Sequence, residues 1–448
     1  MSKTVGIYTL GCKVNQYESE AIGELLESKG FTVLSADEAC DAYIVNTCTV
    51  TAESDRKARQ FIRRALSHNK DAFLLVTGCL AQSDAASVAA IEGVDYICGN
   101  RQKLAVAEAL VKLFEGGQKK TAPIVDVASL DGAGFEPMAI RRFGRTRAYI
   151  KIEDGCENHC TYCIIPSARG AVRSKPLADV LDEVRVLSAS GCREVVLTGI
   201  ETASWGRDLP DADLATLLEA VDQIDGIGRV RLGSLDPSLM RQGFVDRIAA
   251  LHALAPHFHL SMQSGSDRVL ARMKRKYNRT QALAAMERLR AALPDVQFAT
   301  DIIVGFPGES EQDFADTMDF VRRARFLTIH VFPYSKRQGT PAADMPDQLP
   351  NAVKKQRVAA LSALAADIRA DILRDQIARG EQHEVLFETY EGGIAVGHTK
   401  NFIEVRVAAP CSLHACLGTV RLDGITPDGT ACTGTLLHVE GEKGEQHV

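Results

Sequence analysis

The stretch Gly155-Cys156-Glu157-Asn158-His159-Cys160-Thr161-Tyr162-Cys163 spaces three cysteines as C-x3-C-x2-C. It follows Ala148–Ile152, a run that reads as a β-strand. Thiolates are the ligands of iron–sulfur clusters, and a cubane normally takes four of them. Three stand together here and the next cysteine is Cys192. A cubane held by this loop would keep one iron open for another ligand. Other uses of the same residues are a structural zinc site, a redox pair or plain core thiols. Zinc normally takes four ligands, and His159 between two cysteines is not at finger spacing. A redox pair would employ Cys160 and Cys163 and leave Cys156 idle.

Downstream of this loop, strand-like runs alternate with helical ones: Glu194–Thr198, Arg229–Leu232, His257–Ser261, Phe298–Val304 and Thr328–Phe332. With Ala148–Ile152 they make six units, which predicts a full or partial β/α barrel. Upstream, Thr4–Thr9, Phe31–Leu34, Ala42–Asn46 and Phe73–Thr77 read as strands, with helices over Gln16–Lys29 and Glu53–His68. That alternation predicts a parallel α/β sheet. Gln118–Gly144, richer in Gly and Pro, reads as a linker, and Asn351–Ile377 as a helical connector. Beyond Gly380 five short strands, His383–Glu388, Ile394–His398, Phe402–Val407, Thr419–Leu422 and Thr433–Val439, predict a small β-barrel. The expected fold is thus α/β with a β-barrel appended. Its expected divisions are 1–117 for the N-terminal domain, 118–141 linker, 142–372 barrel, 373–379 connector, 380–441 β-barrel and 442–448 tail.

A second cysteine pattern lies in the N-terminal sheet. Cys12, Cys48 and Cys79 each follow a predicted strand, and ligands gather at the carboxyl ends of parallel strands. The three side chains should therefore converge at one edge. Cys40 does not share that placement, and Cys98 shares it less cleanly, after Tyr96-Ile97.

The whole chain sets the context. It has 448 residues, 46% of them hydrophobic and 25% charged, with twelve cysteines and a net charge of −6. No apolar run reaches membrane-spanning length, and the N-terminus reads straight into a strand without a leader pattern. A cytoplasmic location, with no membrane partner, is expected. Reducing conditions there favour metal binding or catalysis over disulfides for cysteines with informative spacing. The net charge gives no global sign of nucleic-acid binding, so an RNA partner would have to be met by local patches.

The three-cysteine loop after a first barrel strand resembles the radical S-adenosylmethionine superfamily. Thr9-Leu-Gly-Cys12-Lys-Val-Asn15-Gln16-Tyr-Glu18-Ser, Asn46-Thr-Cys48-Thr-Val and Thr77-Gly-Cys79-Leu-Ala-Gln82 resemble the N-terminal domain of its methylthiotransferase family. Val396-Gly-His-Thr399-Lys400-Asn401-Phe402-Ile-Glu-Val405 is similar to a strand–turn–strand of the RNA-binding barrel called TRAM. The resemblance spans nearly the whole chain. It implies two [4Fe–4S] clusters, one on Cys156, Cys160 and Cys163 and an auxiliary one on Cys12, Cys48 and Cys79. It further implies that S-adenosylmethionine binds the open iron of the first and is cleaved on reduction to a 5′-deoxyadenosyl radical. The auxiliary cluster would carry the sulfur, and a C–H bond would become C–S–CH3, a step that needs a cofactor because no side-chain base can remove that hydrogen. Tyr162 would lie by the adenine, Gly199 and Glu201 by the methionine amino group, and Gln263 by the ribose or carboxylate. Glycines and polar residues at strand ends are also ordinary turn chemistry.

Cys163-Ile-Ile-Pro166-Ser-Ala-Arg169-Gly170, Ser234-Leu-Asp236-Pro237 and Pro333-Tyr-Ser-Lys336-Arg-Gln-Gly-Thr-Pro341 are most similar to the branch acting on threonylcarbamoyladenosine in tRNA. The implied target is carbon 2 of that nucleoside, just 3′ of the anticodon. Prenylated tRNA adenosine or a ribosomal-protein aspartate are alternatives within the family, and an iron–sulfur RNA-binding or redox-sensing protein is the alternative outside catalysis. An electron donor and a sulfur source are implied but not identified by the residues. Arg141–Lys151, with five basic residues and no acid, and Arg268–Arg290, with eight Lys/Arg, suit phosphate contacts; Arg141, Arg145, Arg275 and Arg279 are candidates. From Gly380 on there are four Lys/Arg against ten Asp/Glu, a poor surface for RNA. That barrel is expected mainly to position or cover the mouth of the larger one.

Overall fold

The computed structural model describes residues 2–117, 119 and 122–440; the expected 442–448 tail lies outside them. The N-terminal strands β1 (Thr4–Thr9), β2 (Thr32–Leu34), β3 (Ala42–Thr47), β4 (Phe73–Gly78), β5 (Tyr96–Cys98) and β6 (Ile124–Asp126) form one parallel sheet, ordered β2-β1-β3-β4-β5-β6. Strands β3 and β4 are buried at every residue, as expected where helices cover both faces of a parallel sheet. Separate apolar clusters lie on the two faces, one around Tyr43, Ile62 and Leu74, the other around Ile22, Ile44 and Leu110.

Strand β6 corrects the reading of 118–141 as a bare linker. Its three residues pair with β5, Tyr96 opposite Ile124, yet Ile124 and Val125 are exposed. An edge strand this short, with its apolar side chains in solvent, has no alternation to read. Helix α1 (Lys13–Ser28) also starts earlier than Gln16. Cys12 stands at its N-cap without a side-chain cap bond, so the usual sequence signal for a helix start is missing.

The central domain supplies β7 (Ala148–Lys151), the small antiparallel pair β8 (Glu153–Asp154) and β9 (Arg173–Ser174), then β10 (Glu194–Thr198), β11 (Arg229–Leu232), β12 (His257–His259), β13 (Gln297–Val304) and β14 (Thr328–Pro333). Two parallel triplets, β7-β10-β11 and β12-β13-β14, are joined by bridges Val230–Leu254 and Leu235–Leu260. Among the described residues no pairing joins β14 back to β7, so the barrel is the partial form. The N-terminal domain lies along this open seam. α1 packs on β7, Tyr17 donates to the Met138 carbonyl at 2.7 Å, and Arg337, beyond β14, binds Asp55 at 2.7 Å and Thr49 at 2.6 Å.

The boundary expected at 372 falls inside one continuous helix, Asn351–Ala378, whose Ala- and Leu-rich sequence has no Gly or Pro to break it. It packs against β14 and against the strand Leu417–Ile425. The last strands, β15 (Gln382–Glu391), β16 (Ile394–Thr399), β17 (Glu404–Ala408), β18 (Leu417–Ile425) and β19 (Cys432–Val439), close a barrel ordered β15-β16-β17-β19-β18. This barrel covers the end where the central strands begin, not the mouth where they finish. Buried Arg229 reaches the side chain and carbonyl of Glu384, and buried Arg231 donates to the carbonyls of Thr399 and Lys400. Phe402, held at φ +73, stacks between His257 and His398 with ring centroids 4.7 and 4.4 Å away. Guanidinium groups at the strand starts need acceptors once buried, and the small barrel's backbone provides them.

Candidate cluster and cofactor site

Cys12, Cys48 and Cys79 stand beyond the carboxyl ends of the adjacent strands β1, β3 and β4. Gly11, at φ +106, runs so close to Cys48 that a Cβ would lie 2.8 Å from the cysteine Cβ. Gly78, at φ +100, lies against the Thr47 backbone in the same way. Only glycine accepts both the conformation and the approach. All three thiols are free. Cys48 and Cys79 are buried, while Cys12 is open to the space between the domains yet ringed by protein. Burial pushes the Cys12 thiol up, and burial with Cys79 nearby pushes Cys48 up to about 11. Such thiols become thiolates by binding cations, so the donor set fits an iron–sulfur cluster.

The central loop is built similarly. Gly155, at φ +90, faces the Ala171 carbonyl so closely that a Cβ would collide with it. Cys156 N–H donates to Gly170 O at 3.0 Å, and Thr161 binds the carbonyls of Met273 and Arg272. These bonds strap Cys156, Cys160 and Cys163 around one loop. Arg275 donates to Cys160 Sγ at 3.3 Å and to Asp236 at 2.8 Å. Burial pushes Cys156 up to about 12 and Cys163 up to about 11.

Two carboxyls adjoin this loop. Glu201, at the end of β10, accepts from Asn158 through Oε2 at 2.9 Å, and Glu153 accepts the Glu201 N–H at 2.7 Å. The Oε1 atom of each is buried without a partner. Burial, then Asp236, pushes Glu201 up to about 7, and burial pushes Glu153 well above the usual carboxylate range. Orphaned acceptors of this kind suit the ammonium of an amino-acid ligand, so the residues fit S-adenosylmethionine. Gly199 has a steric part to play: a Cβ there would lie 2.5 Å from Glu153 Oε2.

Tyr162, Cys163 and Gln263 line a cavity of about 240 Å³ together with Val50, Thr51 and Asp301. Val50 and Thr51 follow Cys48, so this cavity takes walls from both cysteine loops. Gln263, at φ +63, closes it through backbone bonds to Asp301 and Ile303. Glu201 instead lines a neighbouring cavity of about 550 Å³ with Asn158 and Lys276. Further down the lumen, His259 lies 3.3 Å from Asp301, and the His330 ring stacks on it at 6.0 Å.

Arg169 and Glu153 join the site only once the chain is folded, although the acidic pair Glu153-Asp154 directly before the cysteine loop is a signal the sequence offers. Arg169 is fully buried and donates to Cys79 Sγ at 3.3 Å, Glu18 at 2.6 Å, Asn15 at 2.6 Å and Asp154 at 3.2 Å. Burial alone would raise Glu18, but Arg169, Lys103 and Lys151 hold it well below the usual range.

The basic stretches prove largely committed within the chain. Arg142 pairs with Glu27, Arg145 with Glu20, Arg147 with Glu194 and Glu388, and Lys151 with Glu18 and Asp154. Arg275 is turned inward on Cys160, and Arg279 pairs with Asp316 and Asp319. Arg272, Lys274 and Lys276 have no acidic partner among the described residues, and they border the cysteine loop.

Residues 150–321 match the Radical SAM superfamily, and residues 4–99 match the Uncharacterized protein family UPF0004. The threonylcarbamoyladenosine tRNA methylthiotransferase MtaB of Bacillus subtilis (strain 168) is 39% identical over 90% of this chain and 90% of its own. The tRNA-2-methylthio-N(6)-dimethylallyladenosine synthase of Carboxydothermus hydrogenoformans is 36% identical over 86% of this chain and 88% of its own. Among solved structures, the radical S-adenosylmethionine methyltransferase TsrM of Kitasatospora setae, with cobalamin and a [4Fe-4S] cluster bound, shares the fold. Its TM-score is 0.57 at 18% identity, over 77% of this chain and 74% of that one.

Proposed function

The chain belongs to the methylthiotransferase family of radical S-adenosylmethionine enzymes, and from that premise we propose that it methylthiolates carbon 2 of N6-threonylcarbamoyladenosine, just 3′ of the anticodon, in tRNA. The observation that carries this reading is the cavity walled by both cysteine loops, Val50 and Thr51 on one side and Tyr162 and Cys163 on the other. Radical and sulfur must reach the same carbon, so their sources must share one chamber. The threonylcarbamoyl substrate is favoured by the similarity to the Bacillus relative over nine-tenths of both chains.

Two [4Fe–4S] clusters and S-adenosylmethionine supply the hard chemistry: reductive cleavage of the sulfonium to a hydrogen-abstracting radical, the methyl group, and the sulfur to be inserted. Cys156, Cys160 and Cys163 would hold one cluster, and Cys12, Cys48 and Cys79 the other. Glu153 and Glu201 would present their unpartnered oxygens to the ammonium of S-adenosylmethionine, Tyr162 would lie by its adenine, and Gln263 by its ribose or carboxylate. Arg169 and Arg275 each place a guanidinium on a ligand sulfur, which offsets the charge of the thiolates. An electron donor and a sulfur source complete the cycle as separate partners. The enzyme works in the cytoplasm, with its tRNA. No helix of the described residues is long and apolar enough to cross a membrane.

The test is anaerobic reconstitution of the full chain with S-adenosylmethionine, a reductant and tRNA carrying threonylcarbamoyladenosine, read by nucleoside mass spectrometry. The 2-methylthio nucleoside should form with the parent chain and be absent with Cys48→Ala and with Cys156→Ala. Formation of 5′-deoxyadenosine without that nucleoside would overturn the substrate. Neither product from a preparation holding both clusters would overturn the enzyme reading.

A further inference from the structure

Lys13 directly follows Cys12 and opens α1. Its side chain is solvent-exposed, and its ammonium lies 5.8 Å from the centroid of the Tyr149 ring on β7, at the open side of the partial barrel. The charges facing it there are Arg147, Arg231, Glu194 and Asp301. Neither acid takes it as a partner. Glu194 is engaged by Arg147, Arg229 and Arg231, and Asp301 by His259. Among the described residues the Lys13 ammonium makes no hydrogen bond and no ion pair. An uncommitted cation at the positive end of a 16-residue helix, with two more guanidiniums behind it, is set to receive an anion.

The proposed substrate brings one. In N6-threonylcarbamoyladenosine the urea N–H can close a six-membered hydrogen-bonded ring on N1. That conformation turns the threonine toward the carbon-2 edge of the base, and its carboxylate travels with it. Carbon 2 must meet the sulfur carried beside Cys12, and the next residue after Cys12 is Lys13. Resting on the function proposed above, the geometry points to Lys13 as the residue that binds the substrate carboxylate and so selects threonylcarbamoyladenosine over prenylated adenosine. A prenyl group would leave the ammonium facing hydrocarbon. Leaving a charged group unpaired in this way discriminates more strongly than the shape of an apolar pocket does.

The experiment compares the reconstituted parent chain, Lys13→Gln and Lys13→Arg on three tRNAs. These carry threonylcarbamoyladenosine, the same nucleoside with its carboxylate converted to a neutral amide, and prenylated adenosine. Iron content and the spectrum of the reduced clusters are recorded for each protein, because Lys13 adjoins a ligand. The parent should lose about 10- to 100-fold in kcat/KM on the amide, mostly through KM. Lys13→Gln should show the same loss on the acid and no difference between acid and amide, and Lys13→Arg should restore most of it. Equal turnover of acid and amide by the parent overturns the assignment, even if Lys13→Gln fails to hold its clusters. Persisting preference for the acid in a cluster-replete Lys13→Gln protein overturns it as well. Failure of the parent to modify any threonylcarbamoyl tRNA would strike instead at the function on which the assignment rests.

Discussion

Arg169 donates from Nε to Sγ of Cys79 across 3.3 Å. Its guanidinium also binds Glu18 and Asn15 of the N-terminal domain and Asp154 of the central one. The helix that carries Arg169, Ile165–Arg169, follows the Cys156–Cys163 loop, and Cys79 belongs to the N-terminal cysteine set. One buried side chain thereby ties the two candidate cluster loops together, at the seam that α1 closes.

Arg169→Met should accordingly be costly. It leaves Glu18 and Asp154 buried with part of their countercharge gone, and breaking a buried ionic network by one partner costs about 3–5 kcal/mol. Denaturant unfolding should show that loss, and iron analysis should show depletion of the cluster on Cys12, Cys48 and Cys79. Arg169→Lys should recover part of the stability but not the contact to Cys79.

Gly155→Ala should be more selective. Its Cβ would strike the Ala171 carbonyl, and φ +90 is hostile to alanine. The expected protein is folded, holds the cluster of the N-terminal domain and lacks that of the central loop. Iron content should fall by one cluster, and 5′-deoxyadenosine formation should disappear.

Glu201→Gln and Glu153→Gln each replace a buried carboxyl that has an unpartnered oxygen. A charge-assisted bond to an ammonium is worth about 1.5–3 kcal/mol. Each variant should bind S-adenosylmethionine at least tenfold more weakly by equilibrium dialysis, with iron content unchanged.

The docking of the small barrel should weaken in acid. His257 lies half-buried against Phe402 with its Nε2 out of solvent, and desolvation, followed by the neighbouring Arg231, holds it well below the usual histidine range. A histidine kept neutral in the folded state but protonated when unfolded near pH 6.5 leaves stability intact above that pH. Below it, stability should fall by about 1.4 kcal/mol per pH unit until the folded-state value is reached. Unfolding of His257→Phe between pH 7 and 5 should lack this slope.

Much of this was legible in the sequence because it rests on local pattern. The barrel strands Glu194–Thr198 and Arg229–Leu232 stand at the positions their apolar runs predict, and the five small-barrel strands appear in order. Cysteines after strands converge because parallel strands end at one edge. What escaped depends on tertiary context. The exposed strand Ile124–Asp126 pairs by backbone alone. The basic run Arg141–Lys151 reads as an RNA patch until Glu18, Glu27 and Glu194 are brought to it from distant elements. Arg169 looks like any arginine at the end of a short helix until Glu18 and Cys79 are folded onto it. Lys13 sits inside a recognisable word, but its place at the open side of the partial barrel is set by where α1 closes the seam.

If both cysteine loops serve one chamber, the hydrogen at carbon 2 of the base must leave to the radical generated there. The most direct test uses tRNA whose threonylcarbamoyladenosine carries deuterium at carbon 2, with mass spectrometry of both products. Deuterium should appear in 5′-deoxyadenosine, in step with the 2-methylthio nucleoside. Unlabelled 5′-deoxyadenosine beside an unmodified base would contradict the shared chamber.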